Sequence, residues 1–407
     1  MLKMKKILIL SNTMEIGGAE RALLGLLNAF DYSCYSVDLF LCRHTGELYK
    51  EIPKEVNILP MNQARYLAVP MINLIKENQW KIFYGRLKAK YLAKRFVLQN
   101  SLSKDNQVEL TYSHKYTFKY FDCINPDVEY DLAISFLTPH YICVNKCHSK
   151  VKIAWIHTDY STIDIDLDTE FEMWNKYDKI VSISDKCSEA FLLKMPILKE
   201  KIIRIDNIIQ KEMILTQARK SVPVEIDRNG DELVFCSVGR FSYAKNFDNI
   251  PNICKRVLQK GIKIKWYLIG YGGEKNQIQL KIQEEKVERN VVILGKKENP
   301  YPYINACDFY VQPSRYEGKA VTVREAQVLG RPVIITNFPT ATSQLIDGYD
   351  GKIVSLDNEK CADEIVSFIK DKKLVSAIIK NIETTDYTNY DEINKIYALM
   401  GDYHVKG

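Results

Sequence analysis

Short apolar bursts recur along this chain, and most are followed by a stretch of helical length with apolar residues every third or fourth position. Lys6-Ile-Leu-Ile-Leu10 reads as a buried strand, Gly17-Gly18 as a turn, Ala19 to Phe30 as a helix and Ser36 to Leu41 as the next strand. Leu132 to Phe136, Lys152 to Ile156 and Lys179 to Ile183 continue the series. After a connector from Asn207 to about Asp231, containing Pro223 and Asn229-Gly230, the pattern restarts. Its strands are Glu232 to Val238, Lys263 to Ile269, Val291 to Leu294, Asp308 to Val311 and Pro332 to Ile335. Strands alternating with helices call for parallel sheets, so the fold class is α/β with two doubly wound, Rossmann-like halves. The expected boundaries are 1–207 and 208–385, with a C-terminal segment over 386–407.

The segment between about residues 76 and 96 departs from this rhythm. Lys76, Lys81, Arg86, Lys88, Lys90, Lys94 and Arg95 meet one acid, Glu77, while Trp80, Ile82, Phe83, Tyr84, Leu87, Tyr91, Leu92 and Phe96 supply an apolar face. It reads as a basic amphipathic helix. Such a helix either rests on anionic lipid headgroups or packs its stripe on the core with a solvated basic face, and the sequence leaves both open.

Composition narrows the function classes. With 407 residues, 46% hydrophobic and 27% charged, the chain suits two soluble domains. No apolar run approaches the ~20 residues of a membrane helix, and the N-terminus runs straight into a strand, so a cytoplasmic location is expected. The ten cysteines stand singly among apolar neighbours, as reduced core cysteines do. Cys143, Cys147 and His148 lack a second pair of ligands for zinc. The net charge of +6 comes without a zinc-finger, RNP or helix-turn-helix pattern, so nucleic acid is not an expected partner.

Candidate chemistry gathers at strand-to-helix junctions, where open α/β sheets bind phosphorylated ligands. Phe309 to Gln312 is followed by a loop from Pro313 to Ala320 and a helix from Val321 to Leu329, which puts Glu317 in the loop and Glu325 in the helix. Eight residues is more than two helical turns, too far for a close pair of acid and base carboxyls. Arg240 and Lys245 follow the strand ending at Val238 and supply positive charge of the kind a departing diphosphate needs. Gly17 and Gly18 let backbone N–H groups approach a phosphate, or serve only the turn. The Gly270-Tyr-Gly272-Gly273 turn lacks the spacing of a dinucleotide fingerprint, which excludes a nicotinamide site. Asp164-Ile-Asp166-Leu-Asp168 contains two Asp-x-Asp triplets. No apolar strand precedes them, so they read as a solvated loop or helix start and not as a metal site.

Gly17-Gly-Ala-Glu-Arg21, Ser237-Val-Gly-Arg240 through Lys245-Asn246, Ile269-Gly-Tyr-Gly-Gly273 and Glu317-Gly through Glu325-Ala together resemble the signature blocks of the GT4 group of retaining glycosyltransferases. Ser182-Ile-Ser184 and Ile205-Asp-Asn207 fall in order between them. Within that group the chain looks most like bacterial enzymes of capsular, exopolysaccharide or cell-wall glycan synthesis. The resemblance implies the GT-B fold, with two domains facing a central cleft, and a C-terminal helix from about Tyr390 to Met400 that crosses back to the first domain. It implies transfer of a hexose or N-acetylhexosamine, with retention, from a nucleotide sugar, most simply UDP-linked, to a glycan or lipid-linked saccharide. It further implies that Arg240 and Lys245 contact the donor phosphates, and that Glu317 orients the sugar. Glu325 would bond the ribose. Gly17, Gly18, Gly239, Gly270, Gly272, Gly318, Lys319, Ala320 and Val321 would line the donor. His157, beyond the strand ending at Ile156, would touch the transferring sugar or the acceptor, with Asp159 beside it raising its basicity. No cofactor or metal is expected. A UDP-sugar epimerase of the same fold and a catalytically inactive partner subunit are the alternatives.

Overall fold

The computed structural model describes residues 4–102, 106–226 and 230–401. Asn229 of the connector's expected turn, part of the polar loop after the basic segment, and residues 402–407 of the C-terminal segment lie outside these. The chain divides into two compact units, Met1–Asn207 with Tyr390–Gly407, and Ile208–Asn389.

The first unit is built on a parallel sheet of seven strands: β1 (Lys5–Ser11), β2 (Tyr35–Leu41), β3 (Asn57–Ile58), β4 (Glu129–Ser135), β5 (His148–Ile156), β6 (Lys179–Ser182) and β7 (Ile202–Arg204). Their order in space is β3-β2-β1-β4-β5-β6-β7. Ile7, Leu8 and Ile9 of β1 are wholly buried, as a central strand covered on both faces requires. The second unit holds β8 (Leu233–Val238), β9 (Ile264–Ile269), β10 (Val291–Gly295), β11 (Phe309–Gln312), β12 (Val333–Thr336) and β13 (Lys352–Val354), ordered β10-β9-β8-β11-β12-β13, again parallel. Ser237 ties its centre together: its hydroxyl donates to Val311 O at 2.6 Å and accepts from Trp266 Nε1 at 2.8 Å. In each sheet the chain steps outward from its first strand and then returns to that strand's other side. The switch points therefore lie between β1 and β4 and between β8 and β11.

The ten strands read from the sequence are all present. β3, β7 and β13 are missed because two or three residues at a sheet edge carry no readable periodicity. The connector is not wholly irregular: Lys211–Ala218 is a helix, with Ile214 and Ala218 buried. In the last part of the first unit, the helix Ile393–Leu399 brings Tyr397 against Tyr35, ring centroids 4.2 Å apart, while the Tyr397 hydroxyl accepts from Asp31 N. Ten thiols are free. Cys34 and Cys123 are exposed, and the other eight are buried.

The basic segment differs from its reading as one helix with one apolar face. It is two helices, Met71–Lys76 and Trp80–Gln99, separated at Asn78, whose φ is 57°. On the longer helix the buried positions are Ile82, which joins the main core of the unit, and Gly85, Ala89 and Ala93, packed against the helix Val108–Thr117. A Cβ on Gly85 would lie 2.8 Å from Tyr116 O, so the two helices meet through small residues. Trp80, Tyr84, Leu87 and Tyr91 are left outside. A hydropathy reading overlooks glycine and alanine as a packing face and assigns that role to the aromatics.

Candidate active site

At the β8/β11 switch point two loops are clamped together. After β8, Asn246 takes a left-handed conformation, φ 60°, and its buried amide donates to Pro313 O at 2.8 Å. After β11, Arg315 forms a two-pronged pair with Asp248 at 2.9 and 2.8 Å, donates its backbone N–H to Ala244 O, and stacks on Tyr243. These contacts hold Lys245 and Glu317 facing one another across the switch, where Lys245 Nζ donates to Glu317 Oε1. The same oxygen accepts from Ser314 Oγ at 2.6 Å and Gln312 Nε2 at 3.2 Å. Tyr310 OH in turn donates to Gln312 Oε1 at 2.7 Å, which fixes the amide's orientation. Among the described residues every bond to the Glu317 carboxylate falls on Oε1, which leaves Oε2 for a ligand hydroxyl.

The remaining candidates of this unit divide into groups. Arg240 is exposed beyond the end of β8 and makes no ion pair or hydrogen bond among the described residues. Gly239 lies beneath Lys245, and a Cβ there would meet Lys245 Cδ at 3.4 Å. Gly318 and Ala320 are buried beside Glu317, Lys319 is half-buried, and Ala320 precedes the helix Val321–Val328 as its N-cap residue. Glu325 is brought inside that helix's packing: it is buried, and its Oε1 accepts from Tyr301 OH at 2.8 Å. Gly270 and Gly272 do a structural task that their place in a turn does not reveal. Gly239 N donates to Ile269 O and Phe241 N to Tyr271 O, and a Cβ on Gly270 would stand 1.8 Å from Gly239 O. A Cβ on Gly272 would stand 2.3 Å from Phe241 O. The two turns touch backbone to backbone, which only glycine permits.

In the first unit Gly17 caps the helix Gly18–Ala29 in an extended conformation that any residue can adopt, and the space of its absent side chain is taken by the Glu20 carboxylate, 2.2 Å from where a Cβ would be. Gly18 is exposed. Beyond β4 and β5 a cavity of about 140 Å³ is lined by His114, Thr138, His140, Trp155, His157 and Trp174 among others. His157 Nε2 donates to Phe136 O at 2.9 Å, which leaves Nδ1 as the acceptor. Desolvation pulls His157 down to about 4, and the neighbouring His114 and His140 to about 3, so all three rings are neutral at neutral pH.

Asp159 does not raise the basicity of His157, as the sequence reading expects. Its Oδ1 accepts from the N–H and hydroxyl of Ser161 at 2.9 and 2.6 Å, and burial governs the imidazole instead. Trp155 Nε1 and Asp159 Oδ2 are buried without a hydrogen-bond partner among the described residues. Glu170, also buried, accepts from Thr111, Tyr160 and Trp174 and is held above the usual carboxylate range by desolvation. Asp166 of the Asp-x-Asp run starts the helix Leu167–Trp174 and accepts from Tyr112 OH at 2.7 Å, so it is a buried cap and not solvated. Among the described residues no three His, Cys, Asp or Glu side chains stand together as a metal site. The sequence gives no sign of Gln312, Ser314, His114, His140 or Trp155 as site residues. They belong to strand and helix patterns, and only the topology brings them to the strand ends.

Two doubly wound units, one with a cation–carboxylate pair at its switch point, define the GT-B class of fold. The crystal structure of the Anabaena protein HepE with UDP and glucose superposes with a TM-score of 0.65 over 97% of this chain and 99% of its own, at 17% identity. Residues 219–385 match the family model of the glycosyl transferases group 1. An uncharacterized glycosyltransferase of Methanocaldococcus jannaschii is 25% identical over 72% of this chain and 77% of its own. The Campylobacter jejuni N-acetylgalactosamine-N,N'-diacetylbacillosaminyl-diphospho-undecaprenol 4-alpha-N-acetylgalactosaminyltransferase is 26% identical over 54% of this chain, which spans 58% of that relative's length.

Proposed function

We propose that the protein transfers a hexose or N-acetylhexosamine, with retention, from a UDP-linked donor to a glycan or lipid-linked saccharide in surface-polysaccharide or cell-wall glycan synthesis, without a metal. The observation that carries this reading is the clamped Lys245–Glu317 pair, with Glu317 Oε2 free of hydrogen bonds among the described residues and Arg240 exposed just beyond the end of β8, on the loop that leads to Lys245. Arg240 and Lys245 neutralise the pyrophosphate as the glycosidic bond opens, and Lys245 exchanges its carboxylate for phosphate oxygen. Glu317, still anchored by Ser314 and Gln312, directs Oε2 to the sugar hydroxyls. Glu325 serves the ribose. The acceptor hydroxyl attacks from the face the diphosphate leaves, and its proton passes to a phosphate oxygen. In the first unit, the neutral His157 ring offers Nδ1 as an acceptor to a ligand hydroxyl. Support for a lipid-linked acceptor comes from the named substrate of the Campylobacter jejuni relative, and support for UDP from the ligand of HepE. Such an acceptor would place the protein at the inner face of the cell membrane.

A donor screen tests the reading. Thermal shift and nucleotide release are measured with UDP-glucose, UDP-galactose, their N-acetylamino forms and GDP-mannose, with and without EDTA. UDP sugars are expected to stabilise and turn over, EDTA to change nothing, and Glu317→Ala to lose transfer while still binding UDP. A shift with GDP-mannose alone overturns the uridine assignment, and unchanged transfer by Glu317→Ala overturns the role of the carboxylate.

A further inference from the structure

The helix Trp80–Gln99 carries a second apolar line on the side away from its packing partner. Trp80, Tyr84, Leu87, Tyr91 and Leu98 follow one another at steps of four, three, four and seven residues, which at 3.6 residues per turn places them within about 60° of each other. All are between 45 and 70% exposed, in a chain whose other three tryptophans are buried. The opposite side of the helix is committed, because Gly85, Ala89 and Ala93 hold it against Val108–Thr117. The outer line is thereby fixed in place and left uncovered.

Its borders are basic on both sides. By the same helical geometry Lys90 and Lys94 run along one edge, and Lys81, Lys88 and Arg95 along the other. All five are exposed, none forms an ion pair among the described residues, and the helix itself contains no acid. Lys88 leans over the Tyr116 ring, 4.9 Å from its centroid.

From this arrangement we infer that the helix Trp80–Gln99 lies in the surface of an anionic lipid bilayer, with Trp80, Tyr84, Leu87, Tyr91 and Leu98 among the headgroups and upper acyl chains and the five cations on lipid phosphates. Two features select a bilayer over a protein partner. Indole and phenol rings are amphipathic and settle at the lipid–water boundary. Lysine is depleted from protein interfaces, yet at a lipid surface its stem lies along apolar area while its ammonium reaches the headgroups. The inference goes beyond the transferase reading and stands without it.

Trp80 is the natural reporter, as the exposed tryptophan among buried ones. The full-length protein is mixed with vesicles of phosphatidylcholine alone and with vesicles of phosphatidylcholine and phosphatidylglycerol in equal parts. Binding is followed by co-sedimentation and by Trp80 emission. The expected result is binding and a blue shift with the anionic vesicles, weakened by salt. A triple variant Tyr84→Ser, Leu87→Ser, Tyr91→Ser should bind at least about tenfold more weakly. The variant Lys90→Glu, Lys94→Glu should lose the preference for phosphatidylglycerol. Both variants should keep the wild-type thermal midpoint, since the altered side chains are exposed. Protein that stays in the supernatant with anionic vesicles overturns the inference. So does a concentration-dependent dimer that the triple variant abolishes, which assigns the line to a second copy, or retention on a nucleic-acid column that the vesicles cannot compete. A UDP-induced thermal shift, measured separately, reports on the transferase reading alone.

Discussion

Lys245 and Glu317 are tied unequally. The lysine ammonium's hydrogen bonds and ion pairs among the described residues go to one carboxylate oxygen, whereas that oxygen has Ser314 and Gln312 besides. Lys245→Ala should therefore leave Glu317 in position and the fold intact, yet lower the transfer rate by on the order of a hundredfold, because diphosphate charge is left unscreened. Steady-state rates at saturating donor, with circular dichroism as control, check this; a rate within a few-fold of wild type would remove Lys245 from the mechanism. Gly270 predicts the opposite profile. A methyl group there collides with Gly239 O at 1.8 Å, in backbone that has no freedom to yield, so Gly270→Ala should cost at least about 3 kcal/mol in urea unfolding. An unchanged midpoint would mean that the two turns are not locked together. These residues also show what a sequence makes visible. Glu317, Lys245 and Gly270 stand out because charge and glycine at a strand end are unusual. Gln312 and Ser314 do not, since a polar residue closing a strand is ordinary until the fold points it at a carboxylate.

At the level of elements, the helix Leu167–Trp174 is fastened to its surroundings through one buried acid. Glu170 takes hydrogen bonds from Thr111, from Tyr160 and from Trp174 of its own helix, in a core otherwise rich in aromatic rings. Glu170→Ala strands three donors at once, and a loss of about 3 kcal/mol is expected by urea denaturation. A loss below about 1 kcal/mol would show that the network is dispensable. The strands were legible because long apolar bursts between turn residues leave few other readings, and the helix Val321–Val328 because Gly330 and Pro332 close it. The helix Trp80–Gln99 was legible as a helix but not in its orientation. Which of two apolar faces turns inward depends on a neighbour that approaches only where side chains are smallest.

The molecule as a whole should be sensitive to acid. His114, His140 and His157 are held neutral by burial, at about 3, 3 and 4 against an ordinary value of 6.5. The unfolded chain therefore binds protons that the folded one refuses, so stability is fully present above pH 6.5 and is lost as pH falls from there towards 4. Each histidine contributes up to about 1.4 kcal/mol per pH unit in that window. Glu170, raised by burial, gains a proton earlier in the folded state and offsets a part. The urea midpoint is expected to be lower at pH 5 than at pH 7; an equal or higher value at pH 5 would contradict burial of the three rings.

The cysteines give the two units different signatures towards an alkylating reagent. Cys34 and Cys123 meet it on the folded protein, and both belong to the first unit. Cys236, Cys254, Cys307 and Cys361 are all enclosed in the second, with burial pushing the thiols of Cys254 and Cys361 up to about 12. Modification at these four is therefore a clock for the opening of the second unit alone. Peptide mapping of a partly alkylated sample would tell which half of the protein gives way first, with no label introduced.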